Sequence, residues 1–353
     1  MNFTRQNESF RPNKSFGQVG LARLNFPARL SGWGLKFLNK YYRITYKFIL
    51  GFLTILLLGQ KVLGFYLSDV ESKYSDVDKF DKYYPSIIYF TDREVVEGYP
   101  DGNFASSKEV NRVEALKMIL LASNFEIVKN EAASKDLKYQ DINAEEWYFP
   151  FLSQATDFGI IEGYPNGNFY PEKTINLAEA LKMIFYANNL SHLPQPKTDP
   201  AVDIPKNEWY ADEVYYSIER DIIWPSSSWE IYPAKNLSRG ELLDLLYKFL
   251  LKDNQDEITY TGKATYYSDI FNGKGTASGE VFNQELYTAA HRFFDFGTIL
   301  TVVNLENGAT VEVKVNDRGP YTEGYSLDLS SSAFEAISPL SRGVIDIFYF
   351  MSE

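Results

Sequence analysis

The chain has 353 residues, 45% hydrophobic and 16% aromatic, enough to bury two or three separate cores. Its formal charge of −12 is uneven: residues 1–64 hold ten Lys or Arg against one acid, Glu8, so residues 65–353 carry −21. So acidic a body excludes nucleic acid as a partner, and the absence of cysteine excludes disulfides, thiolate nucleophiles and Cys-ligated zinc. His192 and His291 are the only imidazoles, and nothing in the composition implies a metal or another cofactor.

Residues 1–35, rich in Asn, Arg, Gly and Pro, read as a disordered basic leader. Residues 36–67 read as a signal peptide or membrane anchor: Lys36, Lys40, Arg43 and Lys47 precede an apolar run over 48–58. That run is shorter than the roughly 20 residues of a spanning helix, and Val62 and Gly64 suit the small positions of a cleavage site. An uncleaved anchor continuing through 63–67 is the alternative, and both place the remaining chain outside the cytoplasm.

An internal repeat follows, in units 74–128, 139–190 and 201–252. Asp76, Asp141 and Asp203 are spaced by 65 and then 62 residues, and the same offsets relate Arg112, Leu177 and Arg239, and also Glu114, Glu179 and Glu241. Each unit predicts a short helix, a turn-rich loop (Gly98-Tyr99-Pro100-Asp101-Gly102-Asn103-Phe104 in the first) and a longer helix. Asn111, Asn176 and Ser238 stand three residues ahead of the glutamates as capping boxes. Trp147 and Trp209 admit two readings, core residues or sugar platforms. Asp101-Gly102-Asn103 lacks the alternating acids of a calcium loop.

These repeats resemble the S-layer homology family, whose members pack three units into a pseudo-threefold helical bundle and bind anionic secondary cell-wall polymers in the grooves between units. The resemblance implies Arg112 and Arg239 as polymer contacts, with Trp147 and Trp209 as candidate platforms. The sequence departs from the pattern at Leu177, where the second repeat loses its Arg, and at Trp224-Pro225-Ser226-Ser227-Ser228 in the third loop.

After a polar linker, 253–259, the pattern turns to β over 260–352. Strands over 299–305 and 310–315 flank an Asn307-Gly308 turn, 344–350 alternates, and 331–337 suits one short helix, so a six-stranded barrel is predicted. The ordered motifs Gly262-Lys263-Ala264-Thr265-Tyr266-Tyr267, Thr276-Ala277-Ser278-Gly279-Glu280, Thr288-Ala289-Ala290-His291, Asn316-Asp317-Arg318-Gly319-Pro320 and Leu327-Asp328-Leu329-Ser330 are similar to the rare lipoprotein A family. That resemblance implies a double-psi β-barrel, giving a multidomain chain of an α-helical bundle plus an all-β barrel. It also implies lytic transglycosylase activity: cleavage of peptidoglycan glycan strands, stripped of peptides, to 1,6-anhydro-muramyl ends without water.

Such cleavage needs one carboxyl group that protonates the glycosidic oxygen and then helps the muramyl 6-hydroxyl to attack. By the resemblance Asp317 has that role, with Glu280 and His291 as partners; the structural alternatives are that Asp317 satisfies the turn amides of Arg318 and Gly319 and that His291 is a buried, hydrogen-bonded imidazole. Burial must raise the pKa of Asp317 for it to act as an acid, and pairing with Arg318 would oppose this. Asp328 reads as a structural turn residue. Asn283 stands where many members carry Asp, which keeps a non-catalytic, wall-loosening module or an S-layer-type structural protein open as alternatives.

Overall fold

The structure, a computed structural model, describes residues 71–125, 127, 137–190, 193 and 203–352. The leader, the signal segment and His192 lie outside the described residues. The repeats form three helix pairs: α1 (Tyr84–Asp92) with α2 (Arg112–Ala122), α3 (Phe149–Asp157) with α4 (Leu177–Ala187), and α5 (Ala211–Glu219) with α6 (Arg239–Leu250). Each longer helix starts where its polar cap predicts. Asn111, Asn176 and Ser238 accept the amides of Glu114, Glu179 and Glu241, and in the second and third units the glutamate returns the bond.

The repeated aspartates clip the loops. Asp76 accepts the amides of Phe104 and Ala105 (both 2.7 Å), Asp141 those of Phe169 and Tyr170 (2.8 and 2.7 Å), and Asp203 those of Ile231 and Tyr232 (2.9 and 2.7 Å). In the third loop the Gly-Tyr-Pro-Asn-Gly chemistry is gone, yet the backbone bond persists: Ser226 N donates to Glu230 O at 2.8 Å, as Tyr164 N does to Asn168 O. Trp229 is held at φ 63° where Gly167 has φ 83°.

The units then close on one another. Val110 N donates to Leu237 O, Leu237 N to Ile175 O and Ile175 N to Val110 O, a three-membered ring whose side chains are all buried. Each long helix also starts on the next unit's loop, since Arg112, Leu177 and Arg239 donate their amides to Lys173 O, Lys235 O and Lys108 O. A helix start is rich in unpaired N–H groups, so this cyclic exchange satisfies donors that each unit alone would expose.

The barrel is built from β1 (Tyr260–Tyr266), β2 (Thr288–Ala290), β3 (Ile299–Asn304), β4 (Thr310–Asp317), β5 (Leu327–Leu329) and β6 (Ile345–Met351), closed in the order β1-β5-β2-β4-β3-β6. The pairs β1/β5 and β2/β4 are parallel and the other four antiparallel. The β3–β4 hairpin turns at Gly308 (φ 72°), and the predicted helix is α7 (Ser331–Ile337), capped by Ser330. Val302, Val315, Leu327, Leu329 and Ile347 share one buried face and fill the interior.

The segment between the modules is packed. Tyr247 of α6 accepts the amide of Thr259 and donates to Glu257 O (both 3.2 Å), and Ile258 is buried. Tyr84 of α1 stacks on Phe348 of β6, and Arg220 pairs with Asp253 at 3.0 Å.

Candidate active site and wall-binding grooves

Three short stretches of strand bring the barrel's polar groups together. The register pairs Ala290 of β2 with Asp317 on one side and Asp328 on the other, and pairs Asp328 with Thr265 of β1. The register of β2 on β4 shifts between Ala289 and Ala290, which brings Asp317 opposite Ala290 and close enough for its charge to act on Asp328. Asp328 is therefore a strand residue, which corrects the expectation of a turn role. Its neighbours Leu327 and Leu329 are fully buried, so strand alternation sends its carboxyl to the opposite face.

The two carboxyl groups meet different surroundings. Asp317 Oδ2 accepts the Tyr267 hydroxyl at 2.8 Å, and Oδ1 accepts the amides of Ala277 and Arg318, each at 2.8 Å. Asp328 receives one hydrogen bond, from the Thr265 hydroxyl to Oδ1. Burial holds the Asp328 carboxyl above the usual carboxylate range; Thr265 pulls it down and the Asp317 charge adds to the rise. A Cβ on Gly319 would stand 3.9 Å from Asp328 Oδ2, an ordinary contact distance that places the Gly319 turn beside this carboxyl. Burial, then the hydrogen bond to Asp317, also raises the Tyr267 hydroxyl.

Glu280 lies at the rim of the same region, in the loop whose Ser278 amide donates to Asn316 O. Its carboxylate accepts Lys314 Nζ (2.7 Å) and Asn316 Nδ2 (3.1 Å), and these two contacts lower its pKa. The structure thus brings Glu280 beside the strand end that carries Asp317. The His291 backbone joins them, donating its amide to Asp317 O at 3.2 Å.

The His291 imidazole does not face this region. It is 3% exposed, Nδ1 accepts the amides of Phe293 (3.2 Å) and Phe294 (3.0 Å), and the ring stacks on Phe294 with centroids 4.1 Å apart. Burial, with Arg292 and Arg318 nearby, depresses its pKa to about 3, so it is neutral near pH 7. Arg318 turns its guanidinium to His291 O and Phe294 O (3.4 and 3.0 Å) and lies over the Phe296 ring. Asn283 Oδ1 accepts the Glu285 amide at 2.9 Å, a turn role that an Asp would fill equally. Tyr321 is 64% exposed beside Gly319, an apolar face that sequence reading did not single out.

In the bundle, Arg112 and Trp209 line one cavity of about 370 Å³, with Tyr164, Glu179, Lys182 and Tyr186. Arg112 donates Nε to Phe169 O (2.9 Å), pairs with Glu179 at 3.2 Å and lies over the Tyr164 ring. Arg239 makes the corresponding contacts with the first loop: Nε to Phe104 O (3.1 Å), Nη2 to Glu97 O (3.0 Å), and its guanidinium over Tyr99. Both arginines are buried cations at helix starts, where the dipole disfavours them and carbonyls compensate. Trp147 and Trp209 are 51% and 53% exposed and face Lys117 and Lys182, which sets aside the core reading. Among the described residues no group of three or more His, Cys, Asp or Glu is gathered as metal ligands would be.

Residues 73–116 and 138–181 match the S-layer homology domain model, and residues 259–349 match the lytic transglycolase family model. The chain therefore carries S-layer homology repeats followed by a rare lipoprotein A-like double-psi β-barrel. The barrel region is 49% identical to the probable endolytic peptidoglycan transglycosylase RlpA of Treponema pallidum over 83 residues, 24% of this chain and 26% of that protein. It is 52% identical to the one of Aquifex aeolicus over 84 residues, 24% and 37% of the two chains. The endolytic peptidoglycan transglycosylase RlpA of Pasteurella multocida is 43% identical over 83 residues, 24% and 28%. The chain thus spans between about a quarter and just over a third of the curated relatives it matches.

Proposed function

We propose that the chain is an exported, wall-anchored peptidoglycan-remodelling enzyme of the cell envelope, whose barrel is a lytic transglycosylase cutting glycan strands to 1,6-anhydro-muramyl ends. The observation that carries this reading is the pair Asp317 and Asp328 flanking Ala290, one carboxylate saturated with donors and the other held toward its protonated form. Asp328 gives its proton to the bridging glycosidic oxygen as the bond to the anomeric carbon breaks. The muramyl 6-hydroxyl oxygen then bonds to that carbon and its proton returns to Asp328, so no water is consumed. Asp317, which accepts the Tyr267 hydroxyl and two amides, stabilises the oxocarbenium charge in between. Glu280 holds Lys314 and Asn316 at the rim, and His291 supports the site from behind.

The test is to incubate the full chain with denuded glycan strands and analyse the soluble fraction by mass spectrometry. Anhydro-muramyl products are expected. Retention of the chain on insoluble glycan with no soluble product would overturn catalysis and leave a binding module.

Anchoring to an anionic wall polymer is assigned to the groove at Arg112 with Trp209 and to its counterpart by repeat register at Arg239, where Trp147 corresponds to Trp209. Arg239→Ala is expected to lower the fraction of chain sedimenting with polymer-bearing walls about tenfold at low salt, and by less at raised ionic strength, where screening already weakens the wild type. Unchanged sedimentation by a folded Arg112→Ala, Arg239→Ala double variant would remove this assignment.

A further inference from the structure

The third repeat breaks the loop pattern at Trp224, and that indole meets the barrel. In the repeat register Trp224 stands where the first two units have Glu97 and Glu162, and Lys248 stands where the second has Tyr186, a residue lining the Arg112 groove. Trp224 stacks between Tyr260 and Phe293, with centroids 5.3 Å away in both cases and interplanar angles of 18° and 19°. Its faces and edges also meet His291 and Phe294, at 5.3 and 5.7 Å. Lys248 lies over Trp224 and Tyr260, and Asp221 fixes the indole by accepting Nε1 at 3.0 Å. The cleft that would be the third polymer groove is thus occupied by an aromatic contact to the barrel.

The segment so gripped, 291–294, leads directly to the carboxyl pair. Residue 290 lies between Asp317 and Asp328, the His291 amide holds Asp317 O, and the carbonyls of His291 and Phe294 hold the Arg318 guanidinium. We infer that Trp224 is a positioning residue that the wall-binding repeats supply to the barrel, setting Asp317 through the 291–294 segment. The inference rests on the transglycosylase reading for its effect on rate, but the placement itself has a separate readout. An error of about 1 Å in a reacting group can cost two orders of magnitude, so a remote aromatic clamp of this kind bears on turnover more than on binding.

The experiment uses the full chain as Trp224→Ala and Trp224→Phe. Two-dimensional amide NMR follows Ala277 and Arg318, whose N–H groups donate to Asp317, and a side-chain titration follows His291, which faces Arg292 and Arg318 and shares the junction with Asp221, Asp295 and Lys248. With Trp224→Ala both amide resonances are expected to move and the imidazole to titrate closer to its ordinary value, while Trp224→Phe restores the wild-type spectrum. On glycan strands Trp224→Ala is expected to lower kcat about tenfold with KM within about twofold, again restored by Phe. Unmoved amides in a folded Trp224→Ala overturn the inference whether or not the wild type cleaves. Moved amides in a chain whose wild type cleaves nothing refute the transglycosylase reading and leave the positioning intact.

Discussion

Asp328→Asn is expected to lower the release of anhydro-muramyl products by about 10²–10⁴-fold, the usual contribution of a positioned general acid, with the fold and the glycan affinity retained. The amide can still accept from Thr265, so the β1–β5 contact is kept while the transferable proton is lost. In the wild type the rate is expected to fall as pH rises through the Asp328 pKa, which burial and the Asp317 charge hold above the ordinary value. Asp317→Asn removes that like charge, so its residual activity should lose the alkaline side at lower pH than wild type. The measurement is a pH–rate profile for the three proteins. Full activity in Asp328→Asn with none in Asp317→Asn would transfer the proton to Asp317.

The barrel should also be acid-labile because of His291. Its folded pKa is about 3, against about 6.5 for an unconstrained imidazole, so between these values the unfolded chain binds a proton that the folded chain refuses. Its contribution is fully present above about pH 6.5 and is lost as pH falls toward 3, at about 1.4 kcal/mol per unit and at most about 5 kcal/mol in all. Asp328 works with the opposite sign: its raised pKa contributes stability below the ordinary carboxylate value, lost as pH rises through the folded one. Denaturant midpoints of wild type and His291→Gln at pH 7, 5.5 and 4.5 read this directly. Gln keeps an acceptor for the Phe293 and Phe294 amides but does not titrate, so its stability should decline less across that range. Equal slopes would show that the imidazole opens to solvent before it is protonated.

How far the sequence reveals the molecule depends on how each feature is encoded. The repeat offsets lie in side-chain identity, so Asp76, Asp141 and Asp203 mark the units before any coordinate is seen. Their cyclic exchange leaves no such mark, because the bonds that pass Arg112 to the second loop and Arg239 to the first run through the backbone. In the barrel, β3, β4, β6 and α7 are long enough to show periodicity. The strands β2 and β5 have three residues each, too few for alternation to be visible, and their parallel or antiparallel partners are distant in sequence. That is why Asp328 reads as a turn residue when it stands in mid-strand. For His291 the obstacle is different: its burial depends in part on Trp224, in another module, and no local pattern connects the two.

The ring formed by Val110, Ile175 and Leu237 has a further consequence, one of stoichiometry. A closed circuit of three has no free edge to accept a fourth unit and cannot lose one without orphaning a donor on one neighbour and an acceptor on the other. The number of clefts in this three-repeat ring is therefore capped, and with one taken up by Trp224 the ring would offer the proposed polymer two at most. Under the proposed anchoring, tighter attachment would come from several such rings acting together, not from a fourth unit added to one ring.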